Sequence, residues 1–126
     1  MLRVDKIPQD DHLYRRVSED CYDAPSGKCT EGAFLLREKI KEKYLSVDWA
    51  ERTNINTSCI DSRTKQKLKI AELVVQDPLN LGLSVDHKPS KHNLAHSSIS
   101  GQDLFDEVLK VIRASELAEK STIRFP

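Results

Sequence analysis

An amphipathic segment near the C-terminus constrains the fold of this chain more than any other feature of its sequence. Its apolar residues recur at the spacing of one helix face and are Leu104, Phe105, Val108, Leu109 and Ile112. This pattern predicts a helix over residues 102–119, preceded by Ser100 and Asp103 in an arrangement that resembles a capping box. Because one apolar helix face has to be covered, the face of a small sheet is its natural partner.

Several short segments have the composition of strands and would supply that sheet. The predicted strands are residues 12–17, 43–48, 67–75, 83–87 and 95–99. In the first of them, alternation places Leu13, Arg15 and Val17 on one face, so that an arginine points the same way as two apolar residues. We therefore expect an α+β fold, a small mixed or antiparallel sheet covered by a C-terminal amphipathic helix, in a single domain over residues 1–126.

Length and charge exclude several classes of protein. A chain of 126 residues is long enough to bury a core without a metal or disulfides. Its 20 basic and 20 acidic residues cancel, so attraction of the whole molecule to nucleic acid or to a membrane surface is not expected. We expect no signal peptide and no membrane-spanning segment, and the cytoplasm is the default location.

Three histidines lie close together in the sequence and are candidates for a metal site. His87, His92 and His96 are spaced by five and four residues. Neutral imidazole is a common zinc ligand, and a loop between two strands can bring three of them together. However, the spacing is not that of a His-Glu-x-x-His helix, and we favour a polar loop without metal over a zinc site.

The cysteines and a basic stretch favour structural interpretations. Cys21, Cys29 and Cys59 form an odd set without a Cys-x-x-Cys pair, which is typical of ordinary thiols rather than a disulfide framework or a zinc ribbon. On a strand, the alternating basic residues at positions 63, 65, 67 and 69 would line one face. Since no aromatic residues are interleaved with them, a lysine-protected sheet edge is favoured over nucleic-acid binding.

Three short blocks between His12 and Gly101 together carry a resemblance to one family. They are Leu13-Tyr-Arg-Arg-Val17, Ser46-Val-Asp48 and Asn93-x-Ala-His96, the last followed by an apolar residue and by Gly101. In this order they resemble a family of small, uncharacterised bacterial proteins. The resemblance implies a bacterial intracellular protein and supplies no activity. The chain has Leu94 where family members often have proline.

If these blocks converge, four polar residues form a candidate site. Arg15, Asp48, Asn93 and His96 all lie at strand ends or in adjoining loops, where binding residues are often found. A shared cleft would hold an anionic ligand, with Arg15 as clamp and His96 as donor or base. The alternative is a buried polar network that specifies strand register.

Two classes of function remain open from the sequence. The first is a non-catalytic binding or accessory module that acts through another protein, by a sheet edge or by the outer surface of the C-terminal helix. The second is an enzyme acting on a nucleotide or phosphorylated substrate. One version of it resembles an ADP-ribosyltransferase, in which Arg15 and Ser46 would flank a nicotinamide dinucleotide, although the usual Ser-x-Ser and terminal glutamate motifs are not evident. Oligomeric state is open.

Overall fold

A computed structural model describes residues 3–126 of the chain. Its strands are β1 (His12–Val17), β2 (Tyr22–Asp23), β3 (Lys28–Cys29), β4 (Leu45–Trp49), β5 (Lys69–Val74), β6 (Ser84–His87), β7 (His96–Ser100) and β8 (Thr122–Arg124). Six of them form one sheet in the order β6-β7-β4-β1-β5-β8, and every neighbouring pair is antiparallel. The remaining two strands, β2 and β3, form a separate hairpin. The predicted α+β class with an antiparallel sheet is confirmed.

The helices are short except for the last one. They are α1 (Ile55–Ser58), α2 (Gln76–Asn80) and α3 (Leu109–Lys120). Single 3₁₀ turns cover Glu19–Cys21, Glu31–Phe34, Glu38–Ile40, Ala50–Arg52 and Gln102–Phe105. Among residues 3–126, none of the helices has the length and apolar character needed to cross a bilayer.

The alternation predicted for β1 is present and defines the two faces of the sheet. Leu13, Arg15 and Val17 are all buried on the face that carries the core, including the arginine. Val47 and Ile99 from β4 and β7 belong to the same buried cluster. The core is therefore built by strands that are distant in sequence, and a charged side chain lies within it.

The C-terminal helix covers the core, but with a different face from the one predicted. The buried side chains of α3 are Ala114, Leu117 and Ala118, and the helix packs on the Glu31–Phe34 turn and on β5. Of the predicted stripe, Leu104 is buried, whereas Phe105, Val108 and Ile112 are exposed large apolar residues.

The predicted helix over residues 102–119 was too long, and the physical reason lies at Asp106. This residue has an extended backbone, with φ −80° and ψ 130°, so the 3₁₀ turn at Gln102–Phe105 does not continue into α3. Its carboxylate accepts the N–H groups of Val108 and Leu109 at 2.9 and 2.8 Å, and a new helix begins there. The break changes the helical phase, which turns part of the apolar stripe outwards.

Candidate functional site

The candidate site lies where β1 and β4 separate. These central strands pair only at Leu13 with Trp49 and at Tyr14 with Asp48. Beyond that point the side chain of Arg15 lies across the gap between them. Its Nε donates to the main-chain oxygen of Ala33 at 2.8 Å, and its Nη1 donates to the main-chain oxygen of Ser46 at 2.9 Å. The bond to Ser46 therefore links β1 to β4 beyond the paired residues, and the bond to Ala33 links β1 to the Glu31–Phe34 turn.

Arg15 forms part of the wall of a cleft of about 540 Å³, a volume within the range of small-molecule sites. We call it the arginine cleft. It is lined by Arg15, Arg16, Ser18, Cys21, Gly32, Ala33, Arg37, Ile40, Ser46, Asp61, Ser62, Arg63 and Leu68. Four of these residues are arginines and one is a carboxylate, and Glu42 and Asp48 lie beside three of the arginines, so that positive charges outnumber negative ones by about one.

Behind the wall, one carboxylate faces two guanidinium groups. Glu42 accepts hydrogen bonds from the main-chain N–H and the Nη2 of Arg37, at 2.7 and 3.0 Å. It also lies 3.8 Å from Nη1 of Arg15, and its side chain is only 6% exposed. Glu42 therefore neutralises about one of the two charges, and a positive surplus is left on the cleft side.

The pKa values reflect this arrangement. Burial lowers the pKa of Arg15 to about 10, partly offset by the charge of Glu42, so that the guanidinium remains protonated at neutral pH. Burial by itself would raise the pKa of Glu42. The hydrogen bond from the Arg37 side chain and the charge of Arg15 outweigh it, and the pKa is lowered.

Arg15, a residue of the cleft wall, has hydrogen-bonding capacity that the described residues do not use. A guanidinium has five N–H donors. Within residues 3–126, the hydrogen bonds of Arg15 are those from Nε and Nη1, and Nη2 makes none. On the opposite wall, Asp61 accepts the N–H groups of Arg63 and Thr64 through Oδ1, which forms the turn that carries exposed Arg63. The N–H donors of Arg15 and the exposed side chain of Arg63 therefore both belong to residues that line the arginine cleft.

Asp48 and Asn93, two of the predicted site residues, meet in a buried network that shares Arg16 with the arginine cleft. Asp48 accepts from Ser58 Oγ at 2.7 Å and from Asn93 Nδ2 at 2.8 Å. The amide oxygen of Asn93 accepts the N–H of Ala95 at 3.1 Å. Arg16 joins the network, 3.6 Å from the Asp48 carboxylate, and donates to the main-chain oxygen of Ser58 at 3.0 Å. These bonds connect β4 to α1 and to the turn before β7, as a polar network that specifies register would do.

His96, the fourth predicted site residue, is the ladder partner of Asp48 but makes other contacts. Its Nδ1 lies 2.9 Å from the main-chain oxygen of Lys88, and its ring meets the edge of Tyr44 with centroids 6.0 Å apart. The four residues predicted to share one cleft are thus divided. Arg15 lies in the arginine cleft, and Asp48, Asn93 and His96 lie along the β4–β7 side of the sheet.

The three histidines considered as candidate zinc ligands do not come together. His87 is buried against Trp49, its Nδ1 accepts the N–H of Val4 at 3.0 Å, and its Nε2 lies 2.8 Å from the main-chain oxygen of Leu94. Both of its ring nitrogens are therefore occupied by the backbone. His92 is exposed in a turn. No cluster of three metal-ligating side chains occurs in the part of the chain that the structure describes.

The basic stretch does not form the predicted stripe. Residues 62–64 form a turn, Lys65 after it has a φ of 61°, and Lys67 makes only an isolated bridge to Ile60. Lys69 alone lies in a strand, where it pairs with Glu19 at 3.1 Å. The stretch instead contributes one residue, Arg63, to the arginine cleft.

Arg37, Glu42 and Arg63 were not among the site residues that the sequence indicated. Arg37 and Glu42 are charged neighbours in a polar segment, and the sequence pattern there does not distinguish them from solvated residues. Their role depends on the long-range approach of Glu42 to Arg15 of β1, which is 27 residues away in the sequence.

No protein-family model, curated protein or solved structure matches this chain. The resemblance to a family of small bacterial proteins therefore stays a prediction.

Proposed function

We propose that this protein binds a phosphate-bearing small molecule of nucleotide size in the arginine cleft. The observation that carries the proposal is the buried guanidinium of Arg15. Main-chain oxygens hold it in the gap between β1 and β4, and Nη2 makes no hydrogen bond within residues 3–126. Guanidinium groups recognise phosphate through paired N–H donors, and a donor that is already held loses little freedom on binding.

The energetic cost of this arrangement supports a role in binding. Taking a charge out of water is unfavourable, and apolar side chains of similar volume are often as good for stability. Arg15 lies among Leu13 and Val17, where an apolar residue would continue the core. The buried charge of Arg15, beside a cleft with a positive surplus, is better explained by binding of an anionic ligand than by a contribution to stability alone.

The proposal combines parts of the two functions that the sequence left open. The ADP-ribosyltransferase-like version requires Arg15 and Ser46 at one site, and both residues line the arginine cleft. The acidic residue on the cleft wall is Asp61, whose Oδ1 is engaged by two main-chain N–H groups. The proposal therefore concerns binding of a nucleotide or phosphorylated compound and includes no transfer reaction.

Thermal shift measurements with phosphate-bearing and phosphate-free compounds test this function. We expect at least one of inorganic phosphate, ADP, ATP and nicotinamide adenine dinucleotide to raise the melting temperature, and adenosine to leave it unchanged. The sizes of the shifts rank the compounds. A ligand at about 100 times its Kd stabilises the native state by about 2.7 kcal/mol. The shift should decrease as salt is added, because the exposed part of the attraction is screened.

Variants link the shift to the cleft. Arg63→Ser removes an exposed cation and should weaken binding about tenfold, equivalent to about 1.4 kcal/mol. Arg15→Lys keeps the charge but loses the planar fork and should also weaken binding. Lys91→Ser removes an exposed charge at a turn away from the cleft and is the matched control. Folded protein that shows no shift with any phosphate-bearing compound would contradict the proposal.

Binding of another protein chain is a second candidate function, and a specific observation favours it. Large apolar side chains of α3 and of the turn before it face solvent, as an interface on the outer surface of that helix requires.

A further inference from the structure

The wall of the arginine cleft includes one carboxylate, Asp61, although the proposed ligand is an anion. Its Oδ1 accepts the main-chain N–H groups of Thr64 and Arg63 at 3.1 and 2.8 Å, and these hydrogen bonds lower the pKa of Asp61, so that the group is ionised at neutral pH. Its Oδ2 makes no hydrogen bond and no ion pair within residues 3–126. A charge that repels phosphate is therefore kept beside the cleft, with one oxygen free to accept a hydrogen bond.

Two serine hydroxyl groups belong to the same wall and are also unused. Ser46 is half-buried and Ser62 is exposed, and the Oγ of neither makes a hydrogen bond in the described part of the chain. A hydroxyl group both donates and accepts, whereas an ionised carboxylate only accepts. A phosphate monoester is mostly dianionic at neutral pH and has no proton to give to Asp61. The three side chains therefore suit the hydroxyl groups of a ligand and not its phosphate group.

The arginine cleft offers little to a nucleobase. Bases stack on aromatic rings or on guanidinium planes, and the lining residues that the structure describes include no aromatic side chain. Three of the four guanidinium groups, those of Arg15, Arg16 and Arg37, already donate hydrogen bonds within the molecule. The fourth, Arg63, is exposed, and a base stacked on it would compete with the phosphate group for the same cation.

The charge of the cleft suits a single phosphate group. Its four arginines face three carboxylates, Asp61 in the wall and Glu42 and Asp48 beside it, which leaves a surplus of about one positive charge. A phosphate monoester carries a charge of about −1.5 to −2 at neutral pH. A chain of two or three phosphate groups would place further negative charge near Asp61 without a matching cation.

We propose that the ligand of the arginine cleft is a sugar that carries one phosphate group. The arginines bind the phosphate, and Oδ2 of Asp61 accepts a hydrogen bond from a hydroxyl group of the sugar. A hydrogen bond to an ionised acceptor is about twice as strong as one between neutral groups, so Asp61 selects for the sugar. This inference rests on the proposed function and narrows its ligand class.

Isothermal titration calorimetry of the full chain at low salt tests the inference with glucose 6-phosphate, ribose 5-phosphate, AMP, inorganic phosphate and glucose. We expect at least one of the two sugar phosphates to bind about tenfold more tightly than AMP and inorganic phosphate, and glucose to show no binding. If AMP or inorganic phosphate binds as tightly as both sugar phosphates, the inference is wrong and the phosphate site remains. If no phosphate-bearing compound binds, the proposed function itself fails.

Asp61→Asn tests the role of the carboxylate. The amide keeps Oδ1 for the two N–H groups of the turn and removes the charge, and an unchanged circular dichroism spectrum verifies the fold. The preference for the sugar phosphate over inorganic phosphate should fall about tenfold. Loss of charge alone would change the affinity for both ligands alike, so an unchanged preference would overturn the proposal. Asp10→Asn makes the same exchange at an exposed turn outside the cleft and should leave the preference as it is.

Discussion

Arg15 is held mainly by two main-chain oxygens, and this determines what its charge can do. The bonds to Ala33 and Ser46 orient the guanidinium, while the nearest carboxylate, Glu42, lies 3.8 Å away and is shared with Arg37. Carbonyl groups fix the direction of a cation without cancelling its charge. The positive charge of Arg15 is therefore kept at the cleft, because main-chain carbonyl groups and not a carboxylate hold its side chain in place.

Glu42→Gln should lower the free energy of unfolding at neutral pH. The variant should also lose less stability than the wild type when the pH is lowered. Arg37 and Arg15 hold the pKa of Glu42 below its unfolded value of about 4.3. The stabilisation is therefore complete above that value and is lost as the pH falls through the lower pKa of the folded state. Urea denaturation should show a difference between wild type and variant that is smaller at about pH 3 than at about pH 7.

The exposed Glu51 provides the control for this measurement, because Glu51→Gln removes a carboxylate outside the ion pairs of the described residues. It should change stability little at either pH. If the deficit of Glu42→Gln stayed constant or grew in acid, the proposed pairing with the two arginines would be wrong.

Asp48→Ala should destabilise the protein by about 2–3 kcal/mol, because it leaves buried donors without their charged acceptor. Ser58 Oγ and Asn93 Nδ2 both donate to this carboxylate, which is 5% exposed. Chemical denaturation gives the difference in the free energy of unfolding. Asp10→Ala, at an exposed turn, should stay within about 0.5 kcal/mol of wild type. Equal effects of the two substitutions would show that the buried network contributes nothing.

The residue at which α3 begins determines which of its apolar side chains are exposed. Asp106 supplies the oxygen for the N–H groups of Val108 and Leu109, where the predicted capping box placed the helix start at Ser100. A later start rotates the helix phase, so that Leu117 covers the core and Val108 faces solvent. One capping side chain thus decides which apolar residues of this segment face solvent.

Asp106→Ala should lower the melting temperature, and Asp106→Asn should preserve most of it, since asparagine also caps helices well. Hydrogen bonds from the main-chain N–H groups of Leu109 and Val108 lower the pKa of Asp106. The contribution is therefore present above the unfolded pKa and is lost as the pH falls through the folded one. Thermal melts at neutral and acidic pH should show the alanine deficit shrinking in acid. An asparagine variant as unstable as the alanine variant would contradict the capping role.

The six-stranded sheet joins parts of the chain that are distant in sequence. β1 lies between β4 and β5, and β5 pairs in turn with β8 near the end of the chain. Loss of any central strand therefore removes partners on both sides, which favours cooperative unfolding.

Unfolding followed by Trp49 fluorescence and by far-ultraviolet circular dichroism should give the same midpoint. Trp49 is the single tryptophan of the chain, is buried beside His87, and donates to Asp11 at 2.8 Å. Its emission reports local packing, whereas circular dichroism reports the whole sheet and the helices. Both signals have to be recorded at one protein concentration, because association would shift the midpoint. Separate midpoints would mean that the sheet unfolds in stages.

Local patterns in the sequence were sufficient for several elements of the fold. The alternation of Leu13, Arg15 and Val17 predicted both the strand and the inward direction of the arginine, because neighbouring side chains of a strand point to opposite faces. The strands predicted over residues 12–17, 83–87 and 95–99 lie close to β1, β6 and β7 as the structure has them. These predictions depend only on backbone sterics and on residues close in the chain.

Only the tertiary structure decided which of these polar residues share a site. Hydrogen bonds to Asp48 from Asn93 and Ser58 made one network, and the separation of β4 from β1 gave Arg15 a different set of neighbours that includes Arg37 and Glu42. The sequence determined that a charge would point into the core. Where that charge found its partners depended on long-range packing, because a side chain's environment is created by segments that local spacing cannot bring together.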